Sequence, residues 1–72
     1  MNLEHLVTMA NDIGDYFAAD PDQTHAVEGV TMHIRRFWDP RMRSQIIAYY
    51  QEGGADLKPI VKDAVARLAA EH

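Results

Sequence analysis

Apolar residues recur along this chain at the three- and four-residue steps of an α-helix, in four separate stretches. The first places Leu3, Leu6, Ala10, Ile13 and Phe17 on one stripe with Val7 and Gly14 beside them, and Asn2 stands where an N-cap would accept a first-turn amide. Gly14 lies on that apolar face, where it permits a close helix crossing. The second stretch aligns Val27, Val30, Ile34 and Phe37, with Glu28, Thr31 and Arg35 on the other face. Its start is expected at Asp20-Pro21, with Asp20 as cap, Pro21 in the first helical position and Gln23 completing a box-like cap. The same device returns at Asp39-Pro40 and opens a third stretch with Met42, Ile46, Ile47, Tyr49 and Tyr50. Gly53-Gly54 closes it. Asp56 is expected to cap the fourth, in which Leu57, Ile60, Val61, Ala64, Val65 and Leu68 form the stripe and Pro59 falls in the first turn.

These signals predict an all-α fold, a small bundle of four short helices at about 3–19, 21–37, 40–52 and 57–70, forming a single helical domain over residues 1–72. No stretch alternates like a strand, and the reused Asp-Pro start is not an internal repeat, because helix length sets its spacing.

At 72 residues the core is small, and such chains depend on well-patterned helix packing, self-association or a larger partner. With no cysteine there is neither a disulfide nor a thiolate site for zinc or an iron–sulfur cluster. No apolar run approaches the roughly 20 residues that span a bilayer. The opening Met1-Asn2-Leu3-Glu4-His5 has no basic, signal-like character, so a cytoplasmic protein is expected.

Charge is distributed unevenly. Residues 1–34 hold no Lys or Arg, after which Arg35, Arg36, Arg41 and Arg43 arrive together, opposed only by Asp39. A net charge of −4 repels a phosphate backbone, so this cluster points to a specific anionic surface instead of nucleic acid.

Little else in the sequence carries chemistry. His5, His25, His33 and His72 lack the i, i+3 or i, i+4 spacing of ligands on one helix, so solvated or interface roles are expected and no metal site is predicted. Ser44 is the only serine, Gly53-Gly54 lacks the Lys-Ser/Thr ending of a phosphate loop, and no catalytic residues are predicted. The informative stretch is Arg35-Arg36-Phe37-Trp38-Asp39-Pro40-Arg41-Met42-Arg43. Trp, Arg and Met concentrate in the energetic centres of protein interfaces. Arg35, Arg36, Trp38, Arg41, Met42 and Arg43 are therefore the candidate partner-binding residues, while Phe37 is expected in the core and Met42 is expected to help fill it. For Trp38 and the arginines a structural alternative stands beside this one: Trp38 caps the bundle and the arginines answer acids on the first helix. A helix-turn-helix reading DNA with Arg41, Arg43, Ser44 and Gln45 is a weaker alternative, since the corner has no glycine and no second basic stripe follows.

Three segments carry a family resemblance: Leu6-Val7-Thr8-Met9-Ala10-Asn11-Asp12-Ile13-Gly14, the Arg35 to Arg43 corner, and Gly53-Gly54-Ala55-Asp56-Leu57-Lys58-Pro59-Ile60-Val61. In this order, over nearly the whole chain, they resemble the delta subunit of NAD-dependent, molybdenum-containing formate dehydrogenases. The resemblance implies a non-catalytic cytoplasmic accessory subunit that stabilises or helps assemble the large (alpha) subunit, within a complex that also contains beta and gamma subunits. It implies that the molybdenum (or tungsten) bis-pterin guanine dinucleotide, the iron–sulfur clusters and FMN all belong to those partners. A transient maturation chaperone for molybdenum cofactor insertion, using the arginines on an anionic pterin nucleotide, is the alternative. Self-association in isolation stays open.

Overall fold

A computed structural model describes residues 2–71 and gives four helices: α1 (Leu3–Phe17), α2 (Gln23–Phe37), α3 (Pro40–Gln51) and α4 (Pro59–Glu71). No strand occurs among the described residues. α2 packs most extensively on α4, α1 lies along α2, and α3 closes against α4. The shared core contains Leu6, Val7 and Ala10 from α1, Ala26, Val27, Val30 and Ile34 from α2, Ile46 and Ile47 from α3, and Ile60, Val61, Ala64, Val65 and Leu68 from α4. Each helix thus buries most of the stripe its sequence spacing predicts, but Leu3 at the start of α1 and Phe37 at the end of α2 are exposed. Conversely Thr31, expected on the outer face of α2, is buried, and its hydroxyl donates to the Val27 carbonyl at 2.8 Å. That local bond satisfies the hydroxyl and leaves its methyl free to pack.

Helix starts follow short polar side chains. Asn2 accepts from the Glu4 amide at 2.7 Å, and Asp39 accepts from the Met42 amide at 2.9 Å with Pro40 in the first helical position. α2 and α4 begin two residues later than expected. The cap of α2 is Asp22, which accepts from the His25 amide at 3.1 Å, because Asp20 is already engaged. Asp20 accepts from the Asp22 amide at 2.9 Å and holds His25 Nδ1, so it builds the turn that delivers Asp22 to the cap. Upstream, α1 ends at Phe17, before the expected Ala19.

At α4, Asp56 is not the cap. Its amide donates to the Tyr49 hydroxyl at 3.1 Å, and that hydroxyl faces the Asp56 carboxylate at 3.3 Å. Pro59 opens the helix instead, where its missing N–H has no partner to lose. Before it, α3 closes on Gly53 and Gly54, both at positive φ, whose amides return to the Tyr50 and Tyr49 carbonyls at 3.0 and 3.1 Å.

Asn11 then ties this loop to α1. Its Nδ2 donates to the Asp56 carbonyl at 2.9 Å and its Oδ1 accepts from the Lys58 amide at 3.0 Å. One turn along α1, Lys58 Nζ reaches Asp15. A Cβ on Gly14 would stand 2.6 Å from Val61 Cγ2 and 3.1 Å from Ile60 Cγ2, so α4 sits against α1 only because position 14 has no side chain. The first and third of the resembling segments are therefore the two halves of one seam.

Candidate partner-binding surface

The corner between α2 and α3 positions the six candidate residues very differently. Trp38 leaves helical geometry at φ −91°, ψ 137° and turns inward to 4% exposure, whereas Phe37, the last residue of α2, is left 71% exposed. The expected core position of Phe37 is thus corrected, and it is Trp38, one of the candidate partner-binding residues, that lies in the core. A pair of adjacent aromatics at a helix end gives the bundle one inward position, and the extended residue after the helix takes it.

The arginines divide as well. Arg43 Nη1 donates to the Trp38 carbonyl and, at 3.3 Å, to the Arg35 carbonyl, satisfying acceptors that the end of α2 leaves without helical partners. Arg35 pairs with Glu71 of α4, its Nε donating to Oε1 at 2.9 Å and its Nη2 to Oε2. The expected acids on the first helix are not the ones used. Met42 is half-buried against the core. Arg36 and Arg41 are exposed and make no ion pair among the described residues. Arg36 at least sits in the last turn of its helix, where a cation is favoured. Arg41 sits in the first turn of α3, where the helix dipole disfavours it by about 0.3–1 kcal/mol. Two guanidinium groups of the four at this corner thus have no ion pair among the described residues.

Next to the corner runs a surface the sequence stripes did not isolate. Tyr16 meets Phe17 edge-on at 5.0 Å between ring centroids, Phe17 meets His33 at 6.3 Å, and His33 meets Phe37 at 4.8 Å. This ladder crosses from α1 to α2 with Tyr16 76% and Phe37 71% exposed, and Met32 is also exposed beside it. Phe17 lies over Gly29, where any Cβ would overlap its ring. A hollow of about 570 Å³ lies on one side, lined by Asp12, Ile13, Tyr16, Phe17 and His33. A second, of about 250 Å³, lies on the other, lined by Phe17, Gly29, Met32, His33, Arg36 and Phe37. The available signal was the spacing Gly29, His33, Phe37: a second i, i+4, i+8 line on α2, parallel to the core stripe.

The donor chemistry of the chain bears on one of the redox groups implied by the resemblance, the iron–sulfur clusters. It has no thiolate for an iron–sulfur cluster, and among the described residues no group of three or more His, Cys, Asp or Glu side chains converges. His25 is committed to Asp20 and His33 to the aromatic ladder, while His72 lies outside the described residues. No helix of the described residues is long and apolar enough to cross a membrane.

No curated protein and no solved structure matches the chain. One family does match, described as NADH-dependant formate dehydrogenase delta subunit FdsD, over residues 5–65. That span takes in the α1–α4 seam, the α2–α3 corner and the whole aromatic ladder, and the chain belongs to this family of formate dehydrogenase delta subunits.

Proposed function

We propose that the chain is a non-catalytic accessory subunit of a cytoplasmic NADH-dependent formate dehydrogenase, and that it stabilises or helps assemble the large, molybdenum-bearing subunit. The pterin-bound metal, the iron–sulfur clusters and FMN reside on companion chains in this reading, and this chain contributes surface. The observation that carries it is the exposed aromatic line from Tyr16 to Phe37, ending beside Arg36. Burying one large apolar side chain contributes about 1.5–3 kcal/mol. A 72-residue bundle that leaves two aromatics mostly in water forgoes much of that, and a partner recovers it. Arg36 and Arg41, without ion pairs among the described residues, supply directed donors near the same corner.

The test is expression of the formate dehydrogenase with and without this chain. Its omission should lower recovery of intact large subunit and the melting temperature of the complex, and the chain should be present in the mature enzyme at fixed stoichiometry. Equal recovery and stability without it would refute the proposal. Its absence from the mature enzyme, combined with a need for it during cofactor loading, would favour the transient chaperone instead.

A further inference from the structure

The two hollows beside the aromatic ladder share a wall. Phe17 and His33 line both, so their rings form a ridge with an apolar depression on either flank. Opposite charges border the depressions: Asp12 borders the larger and Arg36 the smaller. Nearby, at the α2–α3 corner, Arg41 is a second cation with no ion pair among the described residues. A short apolar segment laid across a ridge is held by side chains on both sides of it, which is how a helix reads a groove with anchors three or four residues apart.

We infer, building on the accessory-subunit reading, that this ridge receives one amphipathic segment of a companion subunit, with two apolar anchors astride Phe17 and His33 and a carboxylate facing Arg36. The sign of the missing charge follows from Arg36, an exposed guanidinium on the rim of the smaller hollow that has no ion pair among the described residues. A second copy of this chain fits less well. Each copy carries a net charge of −4, so self-pairing begins against mutual repulsion. Gly29 is part of the device, because its missing side chain lets Phe17 lie flat enough to form the ridge. Phe17 and Gly29 thus set the shape, while Tyr16, Phe37 and Arg36 offer the contacts.

A photo-crosslinking residue placed at Tyr16, Phe37, Arg41 or, as an outward-facing control on α4, Asp63 tests this in the assembled enzyme. Tyr16 and Phe37 should both crosslink to one apolar, acid-containing segment of a companion subunit, and Asp63 should not crosslink there. Arg36→Glu should weaken retention about tenfold or more, and Lys in place of the crosslinked segment's acid should restore it. Because Phe37 and Arg36 are exposed, the isolated variants should stay folded, with Arg36→Glu melting only slightly below the parent for want of a cation in the last turn of α2, which separates lost docking from lost folding. Crosslinks from Arg41 without any from Tyr16 or Phe37 would overturn the ridge as the site while leaving the accessory-subunit reading intact. Crosslinks between two copies of the chain would assign the ridge to self-association. No association of the chain with the enzyme at all would remove both proposals.

Discussion

The seam between α1 and α4 and the outer face of α1 and α2 are built from the same first helix, yet they use their residues in opposite ways. On the seam every distinctive residue is consumed by the fold. Gly14 makes room for Val61, Asn11 bonds both an amide and a carbonyl of the loop, and Asp15 holds Lys58. On the outer face Tyr16, Met32, Arg36 and Phe37 are exposed, and nothing inside the bundle needs them there. A residue whose cost or exposure is explained by an internal contact carries no message about partners. One that stays expensive after every internal contact is assigned points outward.

The sharpest way to break this contrast is the adjacent pair at the corner. Trp38→Ala should destabilise the isolated chain by about 3–5 kcal/mol, since it empties a buried aromatic site, and in so small a domain that approaches global unfolding. Phe37→Ala should stay within about 0.5 kcal/mol of the parent in urea denaturation. Equal losses from the two would dissolve the distinction between core and contact surface. Loss of partner binding in a Trp38 variant therefore reports on folding first.

On the seam, Gly14→Val should cost about 2–3 kcal/mol, because the new side chain drives into Val61 and Ile60 and pushes α4 away. Asn11→Ala should follow at about 1–2 kcal/mol, two half-exposed hydrogen bonds being lost across a long loop. Hydrogen exchange gives the more specific readout, as the Lys58 amide should lose its protection while amides in the middle of α2 keep theirs. Protection unchanged at Lys58 would show that the loop holds its shape without the clamp.

Much of this was legible in the sequence, and the failures share a cause. The four helices, their core stripes, the Asn2 and Asp39 caps and the close approach at Gly14 follow from local spacing and from the chemistry of single residues. Where two adjacent residues compete for one job, spacing does not choose. Asp20 and Asp22 both suit a cap, and the choice fell to Asp22 because Asp20 bonds that residue's own amide. Phe37 and Trp38 both suit the core, and one inward position exists. Arg35 and Arg43 looked like a surface cluster because Glu71 and the end of α2 reach them only through the tertiary fold. The aromatic ladder was hidden for the same reason, since half of it lies on each of two helices.

A smaller effect sharpens the outward side. Arg41→Glu should stabilise the isolated chain by about 0.3–1 kcal/mol, since an acid replaces a cation in the first turn of α3. The same change should weaken attachment to the enzyme. Opposite signs in the two measurements are the signature of a residue kept for a partner at a cost to its own helix. A loss of stability on substitution would place Arg41 with Arg43 among the residues the fold uses.

The smallest effect belongs to the turn that joins the two helices of the outer face. There the Asp20 carboxylate bonds His25 Nδ1, and this hydrogen bond, followed by the Asp22 amide, holds the Asp20 carboxyl below its usual 3.8. The same hydrogen bond, then the charges of Asp20, Asp22 and Glu28, raises His25 above 6.5. Because the imidazole is favoured in its charged form when folded, its contribution is complete below pH 6.5 and fades as pH rises through the raised value. The carboxylate's contribution is complete above pH 3.8 and fades as pH falls through the depressed value, so the pair is whole between those limits. Both groups face water, where such pairs add little stability, and melting curves across this range should shift only slightly. The imidazole itself reports the contact directly. Its NMR titration should have a midpoint above 6.5, and Asp20→Asn should bring that midpoint down, whereas an unmoved midpoint would mean that the turn is held by the Asp22 cap and the backbone alone.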